Sequence, residues 1–158
     1  MTARYLNISS DPFDPELAHK ALRKAVSGSG AIVAFTGLVR GNGEDLTLTL
    51  SHYPEFTENE IQRIAEQAET RWPLIGWHII HRVGPMTADE PIVFVATAST
   101  HRRAAFEAAD FLMDFLKSEA PFWKSETVDG KENWIEPREQ DISDKQRWRS
   151  KWPVLMKL

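Results

Sequence analysis

The hydrophobic pattern of this chain changes period in one repeated order: a helical stripe followed by two β-type runs, three times over. Strands that follow one another directly pair antiparallel, whereas a doubly wound parallel sheet needs a helix after every strand. The order α-β-β-α-β-β-α-β-β therefore predicts an α+β fold, a largely antiparallel sheet with helices packed on it.

Local signals mark the elements. Asp14-Pro15 supplies an N-cap with proline at the first helical position, and Leu17, Ala18, Ala21, Leu22, Ala25 and Val26 keep a stripe until Gly28-Ser29-Gly30. Residues 31–39 read as a buried strand, turned by Gly41-Asn42-Gly43 into the alternating Leu46-Thr47-Leu48-Thr49-Leu50. Thr57-Glu58-Asn59-Glu60 has the form of a capping box, opening a helix through Ile61, Ile64, Ala65, Ala68 and Trp72 that Pro73 closes. Strands are expected over 77–83 and 92–98, then the longest helix from His101 to Lys117, blocked by Pro121. Residues 122–128 and 131–135 form a predicted hairpin across Asp129-Gly130.

The 158 residues read as one domain over 1–143 and a basic tail over 144–158. In the tail, Lys145, Arg147, Arg149, Lys151 and Lys157 against Asp144 give +4, so the rest carries −8 of the net −4. Trp148 and Trp152 interleave with these charges. Either the tail docks by its tryptophans and leaves its charges in solvent, or it covers an anionic ligand or partner.

Several function classes drop out. A net acidic chain is not a nucleic-acid coat. No apolar run approaches the roughly 18 residues that span a bilayer. Met1-Thr2-Ala3-Arg4-Tyr5 leads into polar sequence without an apolar signal core, so a soluble, cytoplasmic protein is expected. The chain has no cysteine, which excludes disulfides, thiolate metal sites and a cysteine nucleophile. Any sulfur it handles must arrive on something else. His78 and His81, three apart on a predicted strand, point to opposite faces, and His19 and His52 lack acidic partners at ligand spacing. No metal or cofactor is expected. Phosphate-loop, dinucleotide and GxSxG motifs are absent.

The basic residues carry the remaining chemistry. His101, Arg102 and Arg103 fall in the first turn of a helix, where the dipole disfavours cations and favours a bound anion. They either pair with acids such as Glu107 or hold a phosphate. Lys117 and Lys124 bracket Ser118-Glu119-Ala120-Pro121-Phe122-Trp123. They are either separate surface charges or a pair converging on a partly desolvated pocket, where burial would bring a lysine toward acid–base use. Arg40 is a third candidate anion binder.

Together the blocks 30–40 (GAIVAFTGLVR), His52-Tyr53-Pro54, Arg71-Trp72-Pro73, His81-Arg82-Val83-Gly84, Ser99-Thr100-His101-Arg102 and 116–124 (LKSEAPFWK) resemble the large, catalytic subunit family of molybdopterin synthase over about residues 5–141. The resemblance implies an α/β hammerhead-like fold and a homodimer. Each copy would bind a small ubiquitin-like sulfur carrier, giving a heterotetramer. The carrier's C-terminal Gly-Gly thiocarboxylate would deliver sulfur to cyclic pyranopterin monophosphate, forming the dithiolene of molybdopterin. It implies a substrate pocket of Leu38, Val39, Arg40, His101, Arg102, Lys117, Lys124, Ser125 and Glu126, with Lys117 and Lys124 catalytic. Ser51 and Glu55 depart from the family pattern outside this set. The rival expectation is a non-catalytic anion- or pterin-binding or adaptor domain on the same scaffold.

Helix geometry adds a constraint. His101 and Lys117 are sixteen residues apart on one predicted helix, so their backbones lie about 24 Å apart. Both can serve one small substrate only if His101 and Arg102 come from the second copy of a two-fold dimer.

Overall fold

Among the described residues, two four-stranded sheets and four helices make up the fold. The computed structural model describes residues 1–41 and 45–151, of which 149–151 are described by backbone alone. The elements run β1 (Ala3–Ser9), α1 (Pro15–Ala25), β2 (Ala31–Leu38), β3 (Leu46–His52), α2 (Phe56–Arg71), β4 (Leu74–Arg82), β5 (Gly84–Thr87), β6 (Pro91–Ser99), α3 (Arg102–Ser118), β7 (Phe122–Val128), β8 (Lys131–Ile135) and α4 (Glu139–Lys151). The sheets are ordered β1-β4-β6-β2 and β5-β3-β7-β8, and among the described residues only β1 with β4 is parallel. The fold is α+β with mostly antiparallel pairing, as expected, but two sheets share the strands where one was anticipated. Asn42 and Gly43 of the anticipated turn lie outside the described residues.

Period-two alternation explains the layers of the first sheet. Trp77, Ile79, Val93 and Val95 pack with Ile61, Ile64, Ala65 and Ala68 of α2 and Ala108, Phe111, Leu112 and Phe115 of α3. Their neighbours Ile80, Phe94, Ala96 and Ala98 turn to the opposite side, against Ala18, Leu22 and Val26 near α1. Because both faces are covered, β6 reads as an unbroken apolar run rather than an alternating one. A third cluster of Val39, Leu48, Leu50, Val83, Met86 and Ile92 joins the two sheets.

Three local expectations are corrected. The polar segment Ala3–Ser9 is a strand, β1, at the edge of the first sheet, and Gly84–Thr87 is a short strand, β5. The capping box does not form: α2 starts at Phe56, with Glu55 at φ 66° and no side-chain cap bond. Thr57 is instead buried, its hydroxyl accepting from Tyr53 N–H at 3.0 Å and donating to Pro121 O at 3.0 Å. A residue that looked like a cap ties the start of α2 to the corner after α3.

The C-terminal segment is a helix that runs through residues 143 and 144. Trp148 is 3% exposed, edge-on to Trp72 at 5.6 Å and Phe111 at 5.5 Å, and its Nε1 donates to Asp114 at 2.6 Å. Two of the tail's charges are paired: Arg147, still half-exposed, bridges Asp110 and Asp114 at 2.7 Å each, and Lys145 pairs with Glu119 at 2.8 Å. Trp152 and Lys157 lie outside the described residues. Among the described residues no helix is long and apolar enough to cross a membrane. Trp148→Ala should cost about 3–5 kcal/mol, as a buried aromatic truncation does. Denaturant unfolding checks this; a loss below about 1 kcal/mol would mean that the indole is not part of the core.

Candidate functional site

A cavity of about 280 Å³ opens at the seam of the two sheets, where the end of β2, the C-terminus of α3, strands β3, β7 and β8 and the first turn of α4 meet. Its walls are divided by chemistry. Leu46, Leu48, Ile92, Leu116, Phe122 and Ile135 supply apolar surface, while Arg40, Lys117, Lys124, Glu126, Arg138 and Asp141 supply charge.

Each charged group has a local reason for its place. The chain leaves β2 through Val39, whose N–H donates to Glu90 O at 2.9 Å and whose carbonyl accepts from Asp89 N–H at 2.8 Å. That pins Arg40 at the rim. The following Gly41 sits so close to Ala88 that a Cβ there would collide with it. Glu90 is itself held, accepting from Arg82 Nη1 at 2.9 Å and from Thr87 N–H. Lys117 lies in the last turn of α3, favourable for a cation. After the Pro121 corner, alternation along β7 points Lys124 and Glu126 into the cavity and leaves Ser125 buried on the other face.

Burial is the dominant force on the lysines. It lowers Lys117 to about 8, helped by the positive charge of Lys124, Arg138 and Arg40 and opposed by Asp141. Burial also lowers Lys124, with Arg138 and Arg40 pushing the same way and Asp141 and Glu126 pushing back. Close by, His81 stacks on Phe122 at 3.9 Å between ring centroids. Its Nδ1 lies 3.0 Å from Arg82 O, and since a carbonyl only accepts, Nδ1 carries the proton. Burial drives its pKa down to about 3, so it is neutral at physiological pH. One lysine titrating near neutrality beside a second cation can exchange a proton and stabilise developing negative charge.

The expected residues separate into two places. Leu38, Val39, Arg40, Lys117, Lys124 and Glu126 line one cavity. Ser125 is adjacent but faces away. His101 and Arg102 lie at the far end of α3, where His101 is the N-cap without a side-chain cap bond. Of the two alternatives for this cluster, the pairing with Glu107 is not formed; that carboxylate accepts from Trp72 Nε1 at 3.0 Å. His101, Arg102 and Arg103 are exposed and have no ion pair among the described residues. Sequence reasoning missed Arg138 and Asp141, which reach the cavity only because α4 folds back along α3. Their spacing of three across the start of a polar helix was the available signal, and nothing in it points to a cavity.

The MoaE protein family model matches residues 8–119. The chain is 46% identical over 144 residues to a "Molybdopterin synthase catalytic subunit" of Caulobacter vibrioides, covering 90% of this chain and 96% of that protein. The chain belongs to the MoaE family. The fold agrees: a solved structure of molybdopterin cofactor biosynthesis protein E from Burkholderia multivorans superposes with TM-score 0.80 at 40% identity, over 94% of this chain and 97% of that one. A chain from a Helicobacter pylori complex of subunits 1 and 2 of molybdopterin-converting factor shares the fold, with TM-score 0.74 at 19% identity over 84% and 91%.

The lysine pair is costly to the fold, and the cost depends on pH. Below pH 8 Lys117 is charged in both folded and unfolded chains, so its full desolvation penalty applies. Between pH 8 and its unfolded value the folded chain has released a proton that the unfolded chain still binds, so stability rises with pH. Lys117→Met should therefore stabilise the protein at pH 7 by roughly 1–3 kcal/mol. That advantage should shrink as pH rises past 8. Thermal unfolding from pH 7 to 10 checks this; a variant less stable than the parent at pH 7 would contradict the burial account.

Proposed function

We propose that this MoaE family member is the catalytic subunit of a molybdopterin synthase. It acts as a sulfurtransferase, moving sulfur from the C-terminal thiocarboxylate of a small ubiquitin-like carrier to cyclic pyranopterin monophosphate. The observation that carries the reading is the convergence of Lys117 and Lys124 with Arg40 over an apolar floor in one cavity. A pterin ring needs the apolar wall, and a phosphate ester and a thiocarboxylate both need positive charge in a chain of net charge −4. A carrier tail ending in Gly-Gly has no side chains to obstruct entry into a narrow mouth. The absence of cysteine fits an enzyme whose sulfur comes on another protein.

In this mechanism the thiocarboxylate sulfur attacks an oxygen-bearing carbon of the pterin side chain, joining carrier and substrate through a thioester as the carbon–oxygen bond breaks and the oxygen leaves with a proton. Water then cleaves the acyl–sulfur bond, leaving sulfur on the substrate and a carboxylate on the carrier, and a second carrier repeats the transfer. Lys117, with its midpoint near 8, moves protons at the reacting atoms. Lys124 orients the substrate and stabilises negative charge, while Arg40 binds an anionic group. The setting is cytoplasmic.

His101 and Arg102 enter through a second copy of the chain. β2 is an edge strand of the first sheet, and although its sequence, AIVAFTGL, is mostly apolar, none of its residues is buried. Phe35 is 42% and Leu38 52% exposed. Such an edge invites pairing with another chain. One end of β2 lies beside Ser99, two residues before His101, and the other leads to Arg40. That strand spans about 23 Å, close to the about 24 Å between His101 and Lys117 on α3. Antiparallel pairing of two β2 edges about a two-fold axis would therefore lay the His101 end of one copy over the Arg40 end of the other. Two equivalent pockets result, each joined by one carrier in a heterotetramer.

Combining the chain with thiocarboxylated carrier and precursor should yield molybdopterin; precursor binding without product would favour an adaptor domain. Lys117→Ala and Arg102→Ala should each abolish product, while a mixed dimer of the two should recover activity, since one of its pockets is intact. A mixed dimer that forms and stays inactive would sink the shared pocket. Phe35→Asp should shift the chain to a monomer in light scattering and lower turnover by more than about tenfold, the equivalent of roughly 1.4 kcal/mol.

A further inference from the structure

We propose that Asp141 is a positioning residue for the lysine pair: a carboxylate that α4 sets against the cavity, aligned by Arg138, to hold Lys117 and Lys124 in their charged forms. The inference deepens the reading of those lysines as the reacting centre, and it rests on that reading.

The geometry of the pair points inward. Arg138 Nε lies 3.3 Å from one Asp141 carboxylate oxygen and Nη2 lies 3.2 Å from the other, a two-point contact that fixes the carboxylate plane. The partners differ in exposure: the Asp141 side chain is 13% exposed and that of Arg138 is 65%. The acid is thus tucked into the cavity wall while its guanidinium stays in solvent. Asp141 also lies in the first turn of α4, where the helix dipole favours an acid. Further along the same helix, Lys145 pairs with Glu119, and Trp148 is locked between Trp72 and Phe111. The backbone that carries Asp141 is therefore anchored to the core through α4.

The surroundings explain why the cavity needs it. Arg40 follows β2, Lys117 ends α3, and Lys124 and Glu126 lie on β7. Glu136 and Arg138 join β8 to α4, and His81 on β4 and His52 on β3 flank Phe122. Cations predominate, and burial works with them to drive protons off the lysines. Asp141 is the acid that resists this at Lys117, and at Lys124 it acts together with Glu126. A lysine neutralised too early could neither attract an anionic ligand nor donate a proton.

The test reads the lysines directly, so it does not depend on turnover. The full chain is labelled with ¹³C and ¹⁵N in lysine, and Lys117 and Lys124 are assigned by the signals lost in Lys117→Arg and Lys124→Arg. The side-chain resonances are then titrated. Asp141→Asn should move both midpoints to lower pH, and Asp141→Glu should return them toward the parent. Arg138→Ala should move them up, because a competing cation leaves the cavity while the first turn of α4 still carries Asp141 there; it keeps the test decisive if Asp141→Asn unfolds. Unchanged or higher midpoints in a folded Asp141→Asn protein would overturn the assignment, as would midpoints that hold or fall in Arg138→Ala. Midpoints that move as expected in a protein that makes no molybdopterin would count against the proposed reaction and leave the role of Asp141 standing.

Discussion

The alternation of side chains across the central strands β4 and β6 is the constraint on which everything else in this molecule rests. Val93 and Val95 face α2 and α3 while Phe94, Ala96 and Ala98 face α1, so a single strand fixes helices on both sides of the sheet. A one-residue slip in register would exchange these sets and leave neither face with a matching partner. Buried polar bonds secure the same arrangement: Thr97 Oγ1 donates to Ala105 O at 2.6 Å, and Ser99 Oγ donates to Pro73 O at 2.8 Å. The first bond holds the start of α3 to its sheet, and so helps fix where Lys117 emerges at the far end, while the second ties β6 to the turn between α2 and β4.

At that end the fold accepts a cost. The seam between two sheets leaves an apolar recess, and the chain sends two lysines into it from different elements. Isolated cations in such a recess lose solvation that their neighbours do not restore, which is why both midpoints fall. The stability to tolerate this comes from elsewhere, including the aromatic cluster of Trp72, Phe111 and Trp148. The same helix that completes that cluster brings Arg138 and Asp141 to the cavity. Core packing and site electrostatics are therefore coupled through α4.

Strong short-range signals made most of the fold legible. Asp14-Pro15 behaves as its chemistry implies, with the Asp14 side chain accepting from Glu16 N–H at 2.9 Å. The hairpin across Asp129-Gly130 forms with both turn residues at positive φ. What escaped was long-range. Thr57 matches a cap pattern, yet its hydroxyl is used by Pro121, 64 residues away. β1 contains too many polar residues to announce itself and is defined by pairing with β4. At the site, residues ending regular elements were visible as candidates, whereas Arg138 and Asp141 depend on a tertiary contact of a polar helix. The stacking of His81 on Phe122, beside the cavity, follows from strand register that the local sequence does not encode.

The separation of the two basic clusters is itself informative. A cation at a helix N-terminus is disfavoured by the dipole, yet His101, Arg102 and Arg103 stand there exposed, without an acidic partner among the described residues. Within one copy they gain nothing from the cavity, which lies a helix length away. The same chain leaves an apolar edge strand of nearly the same length uncovered. In the proposed two-fold arrangement, two unfavourable features of matched dimensions, one electrostatic and one hydrophobic, would be relieved together. The apolar edge would be covered, and the exposed cations would be carried to the cavity of the other copy. Neither feature alone would argue for a site assembled from two copies. Their common length does, because a hydrophobic contact unrelated to the chemistry would have no reason to match the span of α3.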